Sequence, residues 1–246
     1  MERMAERIWD RFLTEEDKAV FEAAGYGTRA GFGERPVVVI VDVTYAFTGE
    51  EPEPILDSIR KWPTACGPYG WDAVPHLVRL VEAARAKDLP VVYTVNSGRA
   101  DRWDAGSWNW KKSPGSAAPR PQAARERGDT IVAEIAPGPR DIVIRKLKPS
   151  AFHGTALSAF LRLFKADSII LAGTTTSGCV RATTLDAFNE NLRVAVVEEA
   201  CFDRSQSSHA MSLCDMNAKY ADVVGIDEVV RYVEGLPAGL FALPPG

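Results

Sequence analysis

Short apolar runs rich in β-branched residues alternate with longer segments of helical spacing along this chain. The runs lie at residues 36–43, 89–96, 141–146, 168–174, 193–200 and 221–226. Between them, apolar residues recur every three or four positions, as in AVPHLVRLVEAARAKD, GTALSAFLRLFKA, CVRATTLDAFNEN and SQSSHAMSLCDMNAKY. Runs this short and apolar are typical of strands buried on both faces of a sheet. The alternation predicts a three-layer, Rossmann-like α/β fold with a six-stranded, mostly parallel sheet.

Two segments fall outside this alternation. Residues 1–34 hold an amphipathic helical stretch and the glycine-rich GYGTRAGFG, and we expect an N-terminal arm that packs on the body or on a second subunit. Residues 99–129 form a long segment that contains Trp103, Trp108 and Trp110. Long loops in compact domains are usually functional, so we predict a lid or a subunit interface. No long linker divides the chain, and residues 1–246 are predicted to form a single domain.

Composition narrows the classes of partner. The 246 residues are 46% hydrophobic and 25% charged, with a formal net charge of -4. An acidic chain without blocks of like charge is a poor candidate for nucleic-acid binding. No apolar run approaches the roughly 18 residues of a spanning helix, and the first residues are too charged for a signal peptide. We therefore expect a cytoplasmic protein that binds a small-molecule substrate and neither nucleic acid nor membrane.

Polar side chains follow the predicted strands where a ligand would bind. In open parallel sheets the ligand lies beyond the carboxyl ends of the strands, near a switch in strand order. Asp42, Asn96, Lys146 and the loop 173–179 occupy these ends. An acid, a lysine and a thiol thus fall within one small set of positions.

Asp42 and Lys146 each allow two interpretations. Asp42 follows a run of aliphatic residues, where a buried carboxylate needs a cation or hydrogen bonds; it could instead cap the next turn. Lys146 ends DIVIRK, where it would either pair with an anion or reach solvent. Of the two lysines, Lys148 is the better candidate for reaching solvent.

Cys179 begins a helical pattern after a turn rich in hydroxyl residues and glycine. The free N–H groups at a helix start would lower the pKa of its thiol and favour the nucleophilic thiolate. The alternative is a small buried structural residue, which is the interpretation we give to Cys66, Cys201 and Cys214. Without C-x-x-C spacing, all four cysteines are expected to be free thiols.

Histidine and glycine patterns offer little for a metal or a cofactor. His76 lies within a predicted helix, and His153 and His209 lie near helix starts, with His209 the better partner for a cysteine. There is no H-E-x-x-H motif, and GYGTRAGFG precedes a strand instead of joining a strand to a helix. We predict no metal and no cofactor.

Several motifs together resemble those of the isochorismatase-like cysteine hydrolases, and among them most those of the N-carbamoylsarcosine amidases. The resemblance covers roughly residues 30–235 and rests on GFGERPVVVIVDVTYAFT, LPVVYTVN, IVIRKLKPSAFHGTAL, AGTTTSGCVRATTLDAF and CFDRSQSSHAM. It implies a catalytic triad of Asp42, Lys146 and Cys179. It also implies a cis peptide bond between Thr174 and Thr175, and an oxyanion site made by the backbone N–H groups of Thr175 and Cys179.

The resemblance further implies a hydrolase of linear amides or N-carbamoyl compounds that works through a thioester. Metal-binding relatives have histidines after the second strand, and the corresponding YTVNSGRADRWD has none, which supports the prediction of no metal. Relatives that cleave a vinyl ether lack the cysteine, so its presence here favours an amide or ureido C–N substrate. In the N-carbamoylsarcosine amidases, an arginine in the matching DR pair binds the substrate carboxylate, so the resemblance points to Arg204 for this role. The alternative is a surface arginine paired with Asp203. Asn96, Thr174 and Trp108 are further candidates for substrate binding.

Other functions remain open at this stage. A maleamate- or pyrazinamide-type amidase, an isochorismatase-like hydrolase and a non-catalytic binding protein on the same fold are the alternatives. The apolar arm and the tryptophan-rich segment, together with the resemblance, lead us to expect a homo-oligomer, either a dimer or a tetramer.

Overall fold

A six-stranded parallel sheet forms the centre of the molecule. The computed structural model describes residues 7–99, 101–111 and 122–245. The strands are β1 (Pro36–Val41), β2 (Val91–Asn96), β3 (Ile142–Lys146), β4 (Ser168–Thr174), β5 (Arg193–Phe202) and β6 (Asp222–Val224), in the order β3-β2-β1-β4-β5-β6. Each neighbouring pair is parallel. The predicted fold class is confirmed, and all six predicted strands form.

Helices cover both faces of the sheet. They are α1 (Glu15–Ala24), α2 (Tyr45–Thr48), α3 (Ile55–Lys61), α4 (Pro68–Ala86), α5 (Trp108–Lys111), α6 (Gln122–Gly128), α7 (Leu157–Phe164), α8 (Arg181–Asn189), α9 (Gln206–Lys219) and α10 (Ile226–Glu234). Helix α4 contacts α10, and α8 contacts α9. Because the chain leaves β1 and β4 in opposite directions, right-handed crossovers place these two pairs on opposite faces.

The central strands are buried as their sequence predicts. Every residue of β1 is buried, and so is every residue of β4. Strand β3 differs from the prediction, because it lies at the edge of the sheet and leaves Val143 46% exposed. An apolar run as short as Ile142–Ile144 does not distinguish an edge strand from a central one.

The described part of the N-terminal segment packs on the β5–β6 side of the body. Trp9 is buried in the core, and Arg7 forms an ion pair with Glu198 at 3.0 Å. The backbone N–H groups of Ala30 and Gly31 donate to the carboxylate of Asp222. This segment is therefore attached to its own chain by specific contacts.

Residues 99–129 lie partly outside the described residues, which leave out residue 100 and residues 112–121. The described parts form a short 3-10 turn at Trp103–Ala105, helix α5 and helix α6. Trp103 and Trp110 are 82% and 84% exposed.

Candidate active site

The candidate site lies at the carboxyl ends of the two central strands. Strands β1 and β4 are neighbours, and from them the chain continues outwards to β2 and β3 on one side and to β5 and β6 on the other. This is the switch in strand order, where the sides of the crevice diverge. Asp42 follows β1 directly, and the turn that carries Cys179 follows β4.

Asp42 is a buried carboxylate held by two side chains. Its Oδ1 accepts a hydrogen bond from the Thr94 hydroxyl at 2.7 Å, and its Oδ2 accepts one from Lys146 Nζ at 2.6 Å. Its φ of 55° departs from the β-strand conformation, so the chain turns at this residue. A carboxylate at 4% exposure requires such partners. The burial interpretation of Asp42 therefore describes the structure, and the capping interpretation does not.

Lys146 reaches Asp42 from the edge of the sheet. It is paired with Asn96 in the β2–β3 ladder, so its side chain passes the end of β2 to meet the carboxylate beyond β1. Its Nζ also donates to the carbonyl of Lys148 at 3.1 Å. At 6% exposure the ammonium is enclosed with its counter-ion instead of reaching solvent.

The turn after β4 has an unusual backbone. The Thr174–Thr175 peptide bond is cis, and residues Thr176–Val180 form a single π-helical turn that leads into α8. Gly173 has a φ of 114°, and a Cβ at this position would lie 2.2 Å from the carbonyl oxygen of Val41. Only glycine allows β4 to approach β1 this closely at the residue before the turn.

Cys179 lies in this turn, close enough to Asp42 and Lys146 for both charges to shift the pKa of its thiol. Burial, followed by the carboxylate of Asp42, raises the pKa of its thiol to about 12, and the ammonium of Lys146 opposes this rise. The prediction of a lowered pKa is therefore wrong, because burial and the nearby carboxylate both favour the neutral thiol. The resting thiol is protonated, and a base must remove its proton before attack on a carbonyl.

The other three cysteines are more enclosed. Cys66, Cys201 and Cys214 are buried, whereas Cys179 is partly exposed, and all four are free thiols. Cys66 Sγ lies 3.7 Å from Thr174 Oγ1. Burial raises its pKa to about 12.

Arg204 lies close to the turn but is not paired with Asp203 through its side chain. Its guanidinium donates to the carbonyl of Thr64 and lies 4.0 Å from Cys66 Sγ. From Arg204, the Asp203 carboxylate accepts only the backbone N–H, at 2.8 Å. The surface-pair interpretation of Arg204 therefore does not describe the structure.

The remaining predicted substrate contacts differ in their accessibility. Thr174 is fully buried, and its hydroxyl donates to the carbonyl of Phe202, so its side chain is occupied by the protein itself. Asn96 is exposed and donates to Asp129 at 3.4 Å. Trp108 is 36% exposed and its indole N–H donates to the carbonyl of Leu147.

The sequence analysis missed the contacts that three residues make in the site, although it named Asp203 and His209 for other roles. Thr94 bonds Asp42, Asp203 bonds the turn at Ser177, and His209 bonds the turn at Thr176. For Thr94 there was a signal, because it is a hydroxyl residue inside the apolar run VVYTVN. For Asp203 and His209 there was none, since their contacts join segments that lie about 26 and 33 residues apart in sequence.

Metal-ligand clusters and membrane-spanning helices are both absent from the described residues. Among the described residues, no group of three His, Cys, Asp or Glu side chains is arranged to hold a metal ion. In the same part of the chain, none of the helices is both long enough and apolar enough to cross a bilayer.

The sequence and the fold are similar to those of known proteins. The family model described as the isochorismatase domain matches residues 36–228. The chain is 34% identical over 224 residues to the N-carbamoylsarcosine amidase of an Arthrobacter species, covering 89% of this chain and 79% of that protein. It is 30% identical over 215 residues to the maleamate amidohydrolase of Pseudomonas putida, covering 86% and 92%.

A solved structure agrees with these similarities. The crystal structure of N-carbamoylsarcosine amidase from Thermoplasma acidophilum superposes with a TM-score of 0.60 at 26% identity. The superposition covers 78% of this chain and 97% of that one.

Proposed function

The chain belongs to the isochorismatase family of hydrolases, and from this premise we propose that it is a cysteine amidohydrolase with a triad of Asp42, Lys146 and Cys179. The reaction is hydrolysis of a linear amide or N-carbamoyl C–N bond in a small carboxylate substrate, through a thioester, with release of ammonia. The names of the two relatives, an N-carbamoylsarcosine amidase and a maleamate amidohydrolase, support this class of bond.

The observation that carries the proposal is the buried pair of Asp42 and Lys146 acting on a partly exposed thiol. Both charges shift the pKa of Cys179, one upwards and one downwards, so all three groups occupy one site. The pair is expensive to bury, and a structural role would be served as well by apolar side chains. A base, a cation and a nucleophile in mutual reach are the parts that acyl transfer requires.

The first half of the reaction forms the thioester. Asp42 takes the proton from the Cys179 thiol as sulfur attacks the carbonyl carbon, and the carbonyl π electrons move to oxygen. Lys146 stabilises the charge near Asp42 while this occurs. The backbone N–H groups of Thr175 and Cys179 hold the oxyanion, where each such donor contributes about 10²- to 10³-fold in rate. The tetrahedral species collapses as the C–N bond breaks, and the nitrogen takes the proton from Asp42 to leave as ammonia.

The second half regenerates the enzyme. Asp42 removes a proton from water, whose oxygen attacks the thioester carbon. When the C–S bond breaks, sulfur takes back the proton and the acid product leaves. Because its pKa is raised, the thiol is protonated at rest and becomes a nucleophile only as Asp42 accepts its proton.

Asn96 and Trp108 are proposed to contribute to the substrate pocket, and Arg204 to bind the substrate carboxylate. The guanidinium of Arg204 has one bond to a backbone carbonyl and five donors in total, so it keeps donors for a ligand. A small-molecule substrate is the only partner that this proposal requires apart from further copies of the chain.

An assay for ammonia release over N-carbamoyl amino acids, maleamate and nicotinamide tests the proposed function. We expect turnover of at least one carboxylate-bearing member of this panel, abolished in Cys179→Ala and unchanged by a chelator. Cys66→Ala is the matched control, because it removes a buried thiol near the same turn. Absence of ammonia from every compound would favour a non-catalytic binding protein, and turnover that survives Cys179→Ala would exclude this thiol as the nucleophile.

A further inference from the structure

The turn that carries Cys179 is bound to the segment between β5 and α9 by a single carboxylate. Asp203 Oδ2 accepts hydrogen bonds from the backbone N–H of Ser177 at 2.8 Å and from its hydroxyl at 2.7 Å. Asp203 Oδ1 accepts the backbone N–H of Arg204 at 2.8 Å. With 4% exposure, this carboxylate has both oxygens occupied by the protein itself.

A second bond joins the turn to helix α9. His209 Nδ1 and Thr176 Oγ1 lie 2.7 Å apart, and both residues are buried. Two successive residues of the turn are thus held from one side, two and three positions before Cys179. Hydrogen bonds to a charged group are about twice as strong as neutral ones, so the carboxylate makes the stronger of these two contacts.

We propose that Asp203 is a positioning residue that fixes the turn of Cys179 relative to the backbone of Arg204. This inference rests on the proposed function, since it concerns the placement of the nucleophile and of the residue proposed to bind the substrate carboxylate. Both oxygens of Asp203 are bonded by protein groups, so we assign it a role that acts through the turn. Its bonds take up the Ser177 N–H and hold the π-helical turn, which keeps the Cys179 sulfur beside Asp42 and Lys146.

Asp203→Asn removes this function with little change in shape. An asparagine has one acceptor oxygen, so it bonds either Ser177 or the Arg204 N–H, and its amide N–H₂ then faces the other donor. Whichever way the amide is placed, one of the two contacts through which the side chain joins the turn to the backbone of Arg204 is lost. We expect the Cys179 thiol to move out of its enclosed position, which brings its pKa down towards the usual value of about 8.5.

Asp167→Asn is the matched control. Asp167 also accepts two backbone N–H groups, from Glu34 and Arg35, and one serine hydroxyl, from Ser168, all at 2.8 Å. It precedes β4, at the opposite end of that strand from the turn, which is roughly 20 Å away along the sheet. The same chemistry is therefore lost at a place that cannot position the nucleophile.

The experiment measures two quantities on the full chain: kcat for the best substrate of the panel, and the rate of iodoacetamide alkylation of each cysteine at pH 8 without substrate. For Asp203→Asn we expect kcat to fall roughly tenfold to hundredfold, the scale of a lost hydrogen bond to a charge. We expect Cys179 alone to react about tenfold faster, because one unit of pKa changes the thiolate fraction tenfold. Asp167→Asn should leave both quantities at the wild-type values.

Each outcome decides the proposal. Wild-type kcat and wild-type Cys179 alkylation in Asp203→Asn would overturn it, as would equal changes in Asp167→Asn. Alkylation of all four cysteines would reveal that Asp203→Asn does not fold. In that case Ser177→Ala replaces it, because this variant removes only the hydroxyl bond. Faster alkylation of Cys179 in Ser177→Ala then supports the proposal, and an unchanged rate rejects it. The alkylation needs no substrate, so a chain that hydrolyses no amide but shows the shift would contradict the proposed function and leave the positioning role intact.

Discussion

Lys146 Nζ and Asp42 Oδ2 lie 2.6 Å apart in an enclosed ion pair, with side chains that are 5% and 6% exposed. The two residues come from the ends of β3 and β1, which are separated in the sheet by β2. Thr94 on that intervening strand donates to the other oxygen of Asp42. The pair therefore depends on the order of three strands and on one residue from each.

Removing either charge should damage both activity and stability. Lys146→Met leaves a buried carboxylate without its cation, which costs about 3 to 5 kcal/mol in the free energy of unfolding. Activity should be lost in the same variant because Asp42 has no counter-ion. Urea unfolding and the ammonia assay measure the two effects.

The exposed ion pair of Arg79 with Asp227 provides the control for this variant. Its side chains are 47% and 71% exposed, so Arg79→Ala should leave the free energy of unfolding close to the wild-type value and keep full activity. A Lys146→Met protein that keeps wild-type turnover would remove the lysine from the mechanism.

Gly173→Ala should prevent the approach of β4 to β1. A Cβ at Gly173 would lie 2.2 Å from a backbone oxygen, which no side-chain movement can relieve. We expect a loss of about 3 kcal/mol or more in the free energy of unfolding, from the strained φ and the steric overlap together.

Gly154→Ala separates the conformational cost from the steric one. Gly154 also has a positive φ, of 70°, but a Cβ there would meet no atom within 4 Å. Gly154→Ala should lower the free energy of unfolding by about 1 to 2 kcal/mol. If Gly173→Ala and Gly154→Ala were equally stable to heat or urea, the close approach of β4 to β1 would not be the reason that position 173 requires glycine.

The general fold could be predicted from the sequence, because it depends on local patterns: buried strands are apolar over their whole length. The same patterns left two interpretations open for Asp42 and for Lys146, and only the family resemblance implied that the two act together. The direction of the Cys179 pKa shift could not be predicted in this way. A helix start is visible in the sequence, whereas the burial and the nearby carboxylate that raise this pKa depend on how the turn is enclosed by distant segments.

The same limit applies to Arg204 and Asp203. The DR pair is visible in the sequence, but a local pattern suggests that two adjacent opposite charges pair with each other. In the structure Arg204 donates to Thr64, which lies 140 positions away, and Asp203 bonds Ser177. Contacts at such separations follow from the tertiary fold alone.

Arg204→Ala should mainly raise KM for a carboxylate substrate. Truncating a charged hydrogen bond costs about 1.5 to 3 kcal/mol, which is roughly tenfold to hundredfold in kcat/KM. Arg204→Lys should restore only part of this, because the planar fork of donors is lost. The measurement compares the acid with its methyl ester on both proteins, and an unchanged preference for the acid in Arg204→Ala would show that the carboxylate is bound elsewhere.

We propose that the protein is a dimer or tetramer in solution. Trp103 and Trp110 present large apolar side chains to solvent in the isolated chain. Light scattering should give two or four times the chain mass of 26.8 kDa, and Trp103→Lys with Trp110→Lys should reduce that mass. A wild-type monomer at micromolar concentration would contradict the proposal.

Mass spectrometry of the acid-quenched enzyme tests the central claim most directly, because the claim is a covalent thioester on Cys179. During turnover of the best amide substrate, the account predicts an adduct equal to the substrate less ammonia, confined to the peptide that contains Cys179 and absent from Cys179→Ala. The same adduct on the peptide that contains Cys66, or steady turnover in a Cys179→Ala enzyme, would contradict it.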